Sequence, residues 1–254
     1  MLTKNKSAVI TGAARGVGRA TALALAKLGC NIVINYRSSK EQAEKTVSSI
    51  EAFGVKAISI QGDVRDDAFC RRLMETAYSQ FGSLDILVNN AGTTVFIPHD
   101  NLEQVKVEHW DDIFATNVRA VFQCSRAARP FMEKSGGGEI INIGSIAGLR
   151  GTGSSIPYGA SKAAVHTLTV SLARVFGPNI RINAVAPGFI AGEWLESGLG
   201  DAYEKALETN AGSAILGKVS KPEDIAAAAV SLITGTDLIT GQLLVCDGGA
   251  LLAG

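Results

Sequence analysis

The 254-residue chain balances 24 Lys and Arg against 24 Asp and Glu, so no overall field draws it to nucleic acid or an anionic membrane. Hydrophobic residues make up 46% and charged residues 19%, which with 28 glycines excludes a disordered chain and suits a compact fold with many tight turns. Cys30, Cys70, Cys124 and Cys246 form no CxxC pair, and His99, His109 and His166 form no HExxH. Neither a disulfide framework nor a protein-built metal site is supported.

Scattered thiols, a first apolar stretch too short for a signal sequence, and no run near the ~18 residues of a membrane span together predict a cytoplasmic protein. Short β-rich runs alternate with helix-period segments from end to end, the pattern of a parallel sheet covered on both faces. Strands are expected near Ser7 to Thr11, Asn31 to Tyr36, Lys56 to Gln61, Leu84 to Asn89, Gly138 to Gly144, Ile180 to Ala186 and Gln242 to Cys246. Several, such as ILV at 86 to 88, are apolar throughout, as strands buried on both faces should be.

Between them, 17 to 29 has apolar residues at helical spacing and stops at Gly29, a helix-ending residue. Further helices are expected over 39 to 53, 66 to 81, 108 to 134, 157 to 177 and 222 to 234, the last opened by Ser220-Lys221-Pro222-Glu223. No linker, composition shift or fixed-period repeat divides the chain, so one domain is predicted. The stretch from Gly188 to about Gly217 is the least periodic and carries Trp194, which suggests a mobile lid.

The first strand runs into TGAARGVG and then directly into a helix. Gly12, Gly16 and Gly18, with Arg15 and Val17 between them, let backbone approach a pyrophosphate whose charge the free N–H groups of the helix start would meet. No GK[ST] follows, so this is not a P-loop. An acidic residue for an adenosine 2′-hydroxyl belongs at the end of the second strand, but INYRSS puts Tyr36 and Arg37 there. Arg37, helped by Arg15 and Ser38, suits a 2′-phosphate, so NADP is favoured over NAD. The bland alternative is a pair of solvated arginines on a tight turn.

Later in the chain, Tyr158 and Lys162 of YGASK stand four apart, on one face of a predicted helix, thirteen residues after Ser145 in IGSIAG. Taken singly these are an ordinary helix pair and a cap. Together with GDV at 62 to 64, NNAG at 89 to 92, Asn117 in FATNV, PG at 187 to 188, ITGQ and DGG, in that order, the chain resembles the short-chain dehydrogenase/reductase family. The resemblance spans nearly the whole chain. It implies a single doubly wound Rossmann-type α/β domain with about seven parallel strands.

The resemblance also implies roles. Ser145 would hydrogen-bond a substrate carbonyl, and Tyr158 would give it a proton as hydride arrives from the nicotinamide. Lys162 would hold the nicotinamide ribose and lower the tyrosine pKa, and Asn117 would hold a water relaying protons to that lysine. Asp63 and Val64 would touch adenine; Asn89, Ala91 and Gly92 would lie along the cofactor, Asn89 near the adenosine ribose. Pro187, Gly188 and Ile190 would complete the nicotinamide end. An ammonium beside a phenol favours the phenolate, which agrees with the pairing of Tyr158 and Lys162.

One departure stands out: the family usually has a threonine for the nicotinamide carboxamide where PGFIAG places Gly192, so Ser197 or lid backbone would have to substitute. With PGFI at 187 to 190 and NYRSS at 35 to 39, the chain resembles the 3-oxoacyl-acyl-carrier-protein reductases within that family. Their carrier-docking arginines fall where this chain has Gly136 and Pro178, with Lys134 and Arg181 as partial compensation. A sugar or polyol dehydrogenase is therefore the rival, and a non-catalytic NADP-sensing module the alternative of another class. All four of Asn117, Ser145, Tyr158 and Lys162 are present, which speaks against the module. Specificity would reside in Thr93 to Asn101, Leu149 to Ile156 and the lid, where Phe96, Ile97, Leu149, Ile156 and Trp194 predict an apolar to mixed pocket. Relatives are typically tetramers, assembled through segments corresponding to 108 to 134, 157 to 177 and the apolar C-terminus.

Overall fold

Seven strands form one parallel sheet: β1 (Ser7–Ile10), β2 (Asn31–Tyr36), β3 (Ala57–Gln61), β4 (Ile86–Asn89), β5 (Gly138–Ile143), β6 (Ile180–Pro187) and β7 (Leu243–Cys246). Ten helices accompany them in the computed structural model, which describes residues 1–253. They are α1 (Gly16–Lys27), α2 (Lys40–Glu51), α3 (Asp67–Phe81), α4 (Val107–Phe114), α5 (Ala120–Lys134), α6 (Ala147–Arg150), α7 (Ile156–Phe176), α8 (Glu193–Leu199), α9 (Tyr203–Ser213) and α10 (Pro222–Thr234). Among the described residues no helix is long and apolar enough to cross a membrane.

The strand order is β3-β2-β1-β4-β5-β6-β7, so the chain winds outward one way from β1 and then the other way from β4. The doubly wound prediction holds. At the reversal, the loops leaving β1 and β4 part and open a crevice at the carboxyl end of the sheet, where such sheets bind ligands.

Alternation of side chains explains the apolar runs. Ile10, Ile34, Val88, Ile141 and Val185 face one core, shared with Leu25 of α1 and Ile225 and Ile233 of α10. Their neighbours Val9, Val33, Leu87, Ile140 and Ile182 face a second core with Leu73 of α3, Met132 of α5 and Phe176 of α7. Each such side chain contributes about 1.5–3 kcal/mol by leaving water. The predicted strand ends shift by up to two residues; Asp85, for one, lies below β4, accepting from Ser7 N at 2.9 Å and pairing with Lys6 at 2.7 Å.

One expectation needs correction. The predicted helix over 108 to 134 is broken into α4 and α5 by a π-helical turn, Ala115–Arg119, in which Ala120 N–H reaches back to Ala115 O. The stretch from Gly188 to about Gly217, the least periodic in the sequence, is largely helical: α8, a 3₁₀ turn at Gly200–Ala202 and α9 occupy it. Neither helix has a buried residue, so no apolar stripe advertised them.

Candidate active site

The crevice is built from the ends of β1, β4, β5 and β6. At β1, the Thr11 hydroxyl accepts the N–H groups of Asn90 and Ala91 at 3.0 and 3.1 Å, and Asn90 Nδ2 donates to Thr11 O and Gly12 O at 2.9 and 3.0 Å. These four bonds fix the loop after β4 against the glycine loop. Gly16 then starts α1 with φ +57, a conformation that favours glycine, and the space where its Cβ would lie is open. No side chain caps α1, whose N-cap is Arg15. A positively polarised, uncapped helix start beside open space at Gly16 fits a dinucleotide pyrophosphate.

Along α7, the Ser155 hydroxyl caps the helix by accepting Tyr158 N–H at 3.3 Å, and Pro157 pre-sets the first turn. Tyr158, Lys162 and His166 follow at intervals of four on one face. Ser145 follows β5 and is buried, its hydroxyl accepting Ala147 N–H at 3.1 Å. Tyr158 is half-buried, and burial pushes its pKa up to about 12 while the neighbouring Ser145 hydroxyl opposes the shift. Lys162 is buried and burial lowers it to about 8; its Nζ donates to Ile143 O at 2.8 Å. An ammonium has three donors, and further polar partners such as the hydroxyls of a ribose suit those that remain.

The expectation that Lys162 lowers the Tyr158 pKa is therefore not met in this arrangement. Nζ stands 5.6 Å from the phenol ring centroid, aimed at a backbone carbonyl, and desolvation dominates the tyrosine. His166 Nε2 sits 3.5 Å from Ser145 N, and burial, then the Lys162 charge, hold the imidazole down to about 4. It is neutral at physiological pH and serves as an acceptor behind Ser145.

Asn117 lies in the π turn, 1% exposed. Its Oδ1 accepts Thr93 N–H at 2.8 Å, and its Nδ2 donates to Thr93 O and Ser161 Oγ, both at 3.0 Å. Ser161 in turn donates to Tyr158 O at 2.7 Å. The side chain thus ties the loop after β4 to α7. Such turns inside helices gather at functional sites.

A family model described as "Enoyl-(Acyl carrier protein) reductase" matches residues 12–250. The 3-oxoacyl-acyl-carrier-protein reductase FabG of Staphylococcus aureus is 41% identical over 247 residues, 96% of this chain and 97% of that one. A protein assigned as ketoacyl reductase 2 of the granaticin polyketide synthase of Streptomyces violaceoruber is 40% identical over 245 residues, 96% of each. A structure assigned to a short-chain dehydrogenase/reductase of Burkholderia xenovorans superposes with a TM-score of 0.90 at 36% identity, covering 97% of this chain and 98% of that one. The chain belongs to the short-chain dehydrogenase/reductase family. As a member, it is an oxidoreductase of carbonyl and CH–OH groups that uses a nicotinamide cofactor.

Within that family frame, several expected contacts acquire limits. Asn89 is 4% exposed and its Nδ2 donates to Ser125 Oγ and Asn142 Oδ1 at 3.1 and 2.9 Å, so a ribose beside it would meet backbone and not the amide. Asp63 pairs with Arg65 at 2.6 Å, which holds its carboxyl below the usual range, while Val64 is buried beside it. Tyr36 is buried, and Arg37 and Ser38 are exposed at the end of β2. Arg15 is exposed, 4.0 Å from Glu193 of α8. Ala91 and Gly92 border the crevice, with Lys162 Nζ 3.9 Å from where a Gly92 Cβ would lie. Pro187 ends β6, Gly188 packs on Asp247, and Ile190 bridges Ser220.

A hydroxyl does reach Gly192, but it belongs to Tyr203 rather than Ser197: Tyr203 Oη accepts Gly192 N–H at 3.0 Å. The two stand eleven positions apart, with no motif joining them, so spacing carried no signal for it. Arg181 is withdrawn as a docking cation. It is 9% exposed, pairs with Glu139 at 2.7 Å and donates to Leu232 O and Ile239 O. His99 lies on the loop after β4 with its Nε2 buried and unpartnered.

Proposed function

We propose that this protein reduces a ketone to a secondary alcohol with NADPH, or runs the reverse oxidation, using Tyr158 as acid and base. The observation that carries the reading is the convergence of Tyr158, Ser145 and Lys162 where β5 and α7 meet the crevice. Bound there, the nicotinamide supplies or accepts the hydride. Ser145 orients the carbonyl oxygen by hydrogen bonding and keeps the Tyr158 hydroxyl pointed at it. A neutral phenol, held protonated by burial, gives up its proton as negative charge builds on that oxygen. Lys162, turned from Ile143 O to the ribose, would replenish the phenol and favour its anion in the reverse direction. Asn117, held by Thr93 and Ser161, keeps both elements in register and would sit beside a proton-relaying water.

Gly12, Gly16, Gly18 and the α1 start would hold the pyrophosphate, with Val64, Ala91, Gly92, Gly188 and Ile190 lining the nucleotide. Arg37, the exposed cation at the end of β2, supports NADP over NAD. A hydrogen bond to a charged group contributes about 1.5–3 kcal/mol, so Arg37→Ala should weaken NADPH about ten- to hundredfold in a fluorescence titration. NADH affinity should stay within about twofold, because it has no 2′-phosphate to lose. Equal losses for both would remove Arg37 from the cofactor site.

The 40–41% identity to ketoacyl reductases supports a 3-oxoacyl thioester as substrate. Lys134 is the remaining exposed cation of the expected carrier-docking pair, so acyl carrier protein is a partner this surface favours only weakly. Exposed Phe122, Val170 and Val175 on α5 and α7, and Leu252 at the C-terminus, support assembly as a homotetramer. The helices at 193 to 213 act as the substrate lid. A spectrophotometric assay of NADPH consumption should show turnover of an acetoacetyl thioester. Turnover of sugars or polyols alone would instead establish the dehydrogenase alternative, and tight NADP binding with no turnover would establish the sensing module.

A further inference from the structure

We infer that Trp194 selects the substrate, and that the preferred ketone sits on a flat, aromatic or conjugated framework. This rests on the ketone-reductase reading. Trp194, on the first turn of α8, is 43% exposed, a costly position for so large an apolar ring unless something covers it. Its ring stands 6.3 Å from the ring of Tyr158 and 6.4 Å from that of Phe96, inclined at 52° and 63°. The indole therefore stands beside the proton donor, and a ketone reaching the Tyr158 hydroxyl passes against it.

The wall is held in place by Gly198, on the same helix. A Cβ there would fall 2.0 Å from the Phe96 ring, so with glycine at that position α8 seats directly against the ring, and any larger residue would have to displace it. Phe96 and Trp194 thus form a continuous aromatic edge from the loop after β4 to the lid. Polar groups close by are spent on each other: the Thr94 and Ser154 hydroxyls are 2.6 Å apart, and Ile97 N–H bonds Ser154 O at 2.9 Å. A polyhydroxylated substrate would find few free partners, whereas a planar apolar one would be recognised edge or face by the two rings.

The test compares 1-tetralone with the N-acetylcysteamine thioester of acetoacetate, in wild type, Trp194→Ala and Trp194→Phe. For 1-tetralone, Trp194→Ala should lower kcat/KM about tenfold, mostly through KM, and Trp194→Phe should keep most of the activity. The small thioester should change by less than about threefold in either variant, since it has no ring to stack. A second measurement reads binding directly. The chain has two tryptophans, so in Trp110→Phe the emission is that of Trp194 alone, and 1-tetralone should quench it saturably. Parallel losses for both ketones, or no quenching, would overturn the inference. If wild type reduces neither ketone, the reductase reading fails separately, and the quenching experiment still decides whether Trp194 takes a flat ligand.

Discussion

Tyr158→Phe should lower ketone reduction by about a hundred- to ten-thousandfold in kcat while leaving the NADPH dissociation constant within about twofold. The substitution removes one oxygen from a half-buried ring and leaves the ring in its place beside Trp194, so the site should stay assembled. What disappears is the proton that neutralises the developing alkoxide, and no other group is placed to supply it. Lys162 is aimed at Ile143 O, and His166, held down to about 4, carries no proton to give near neutral pH. Ser145 can donate a hydrogen bond, but its hydroxyl is a far weaker acid than a phenol.

The same geometry gives the result a pH signature. With Tyr158 raised to about 12, the phenol stays protonated across the assay range, and the kcat/KM of wild type for NADPH should reflect Lys162 instead. A lysine lowered to about 8 is charged below that pH and loses its charge above it, so kcat/KM should fall as pH rises through about 8. Steady-state rates from about pH 6 to 10 with a single ketone measure this. A Tyr158→Phe enzyme that keeps wild-type turnover would remove the tyrosine from the proton-transfer step altogether.

How far the sequence revealed this site depended on what positions each residue. The strands were legible because burial on both faces turns them into apolar runs, as in Ile86 to Val88, and YGASK was legible because helix geometry alone brings Tyr158 and Lys162 together. The π turn at Asn117 was not. Nothing in ATNVR breaks a helix; the distortion is stabilised by bonds to Thr93 and Ser161, 24 and 44 residues away. Tyr203 was missed for the same reason, since its hydroxyl meets Gly192 only after α9 folds back over the end of β6. The lid helices bury nothing, so burial periodicity could not report them. A signal did exist for Arg181. It sits second in β6 as Glu139 sits second in β5, and opposite charges placed inside two adjacent predicted strands point to a buried pair before they point to a docking surface.

That pair should dominate the stability of the sheet's far side. Arg181→Met should destabilise the protein by about 3–5 kcal/mol at about pH 8, because the Glu139 carboxyl, 6% exposed, must then ionise with no cation beside it while the Leu232 and Ile239 carbonyls lose their donor. Thermal unfolding followed by circular dichroism should register this as a drop of roughly 10 °C. Burial already pushes Glu139 up to about 7 from an ordinary 4.5, with the Arg181 charge pulling it back, and removing the guanidinium leaves the upward push unopposed. A carboxyl whose folded pKa is raised keeps its full contribution below the unfolded value and loses it as pH climbs through the folded one. The deficit of Arg181→Met should therefore be smallest near pH 4.5 and grow toward about pH 8. Glu139→Met in the same chain should recover much of the loss, since an apolar pair of similar volume has no ion to desolvate. Recovery will stop short of wild type, because the Leu232 and Ile239 carbonyls still lack the donors that Arg181 gave them. A single variant within about 1 kcal/mol of wild type at about pH 8 would mean that water reaches Glu139, and that the charge pair belongs to the surface after all.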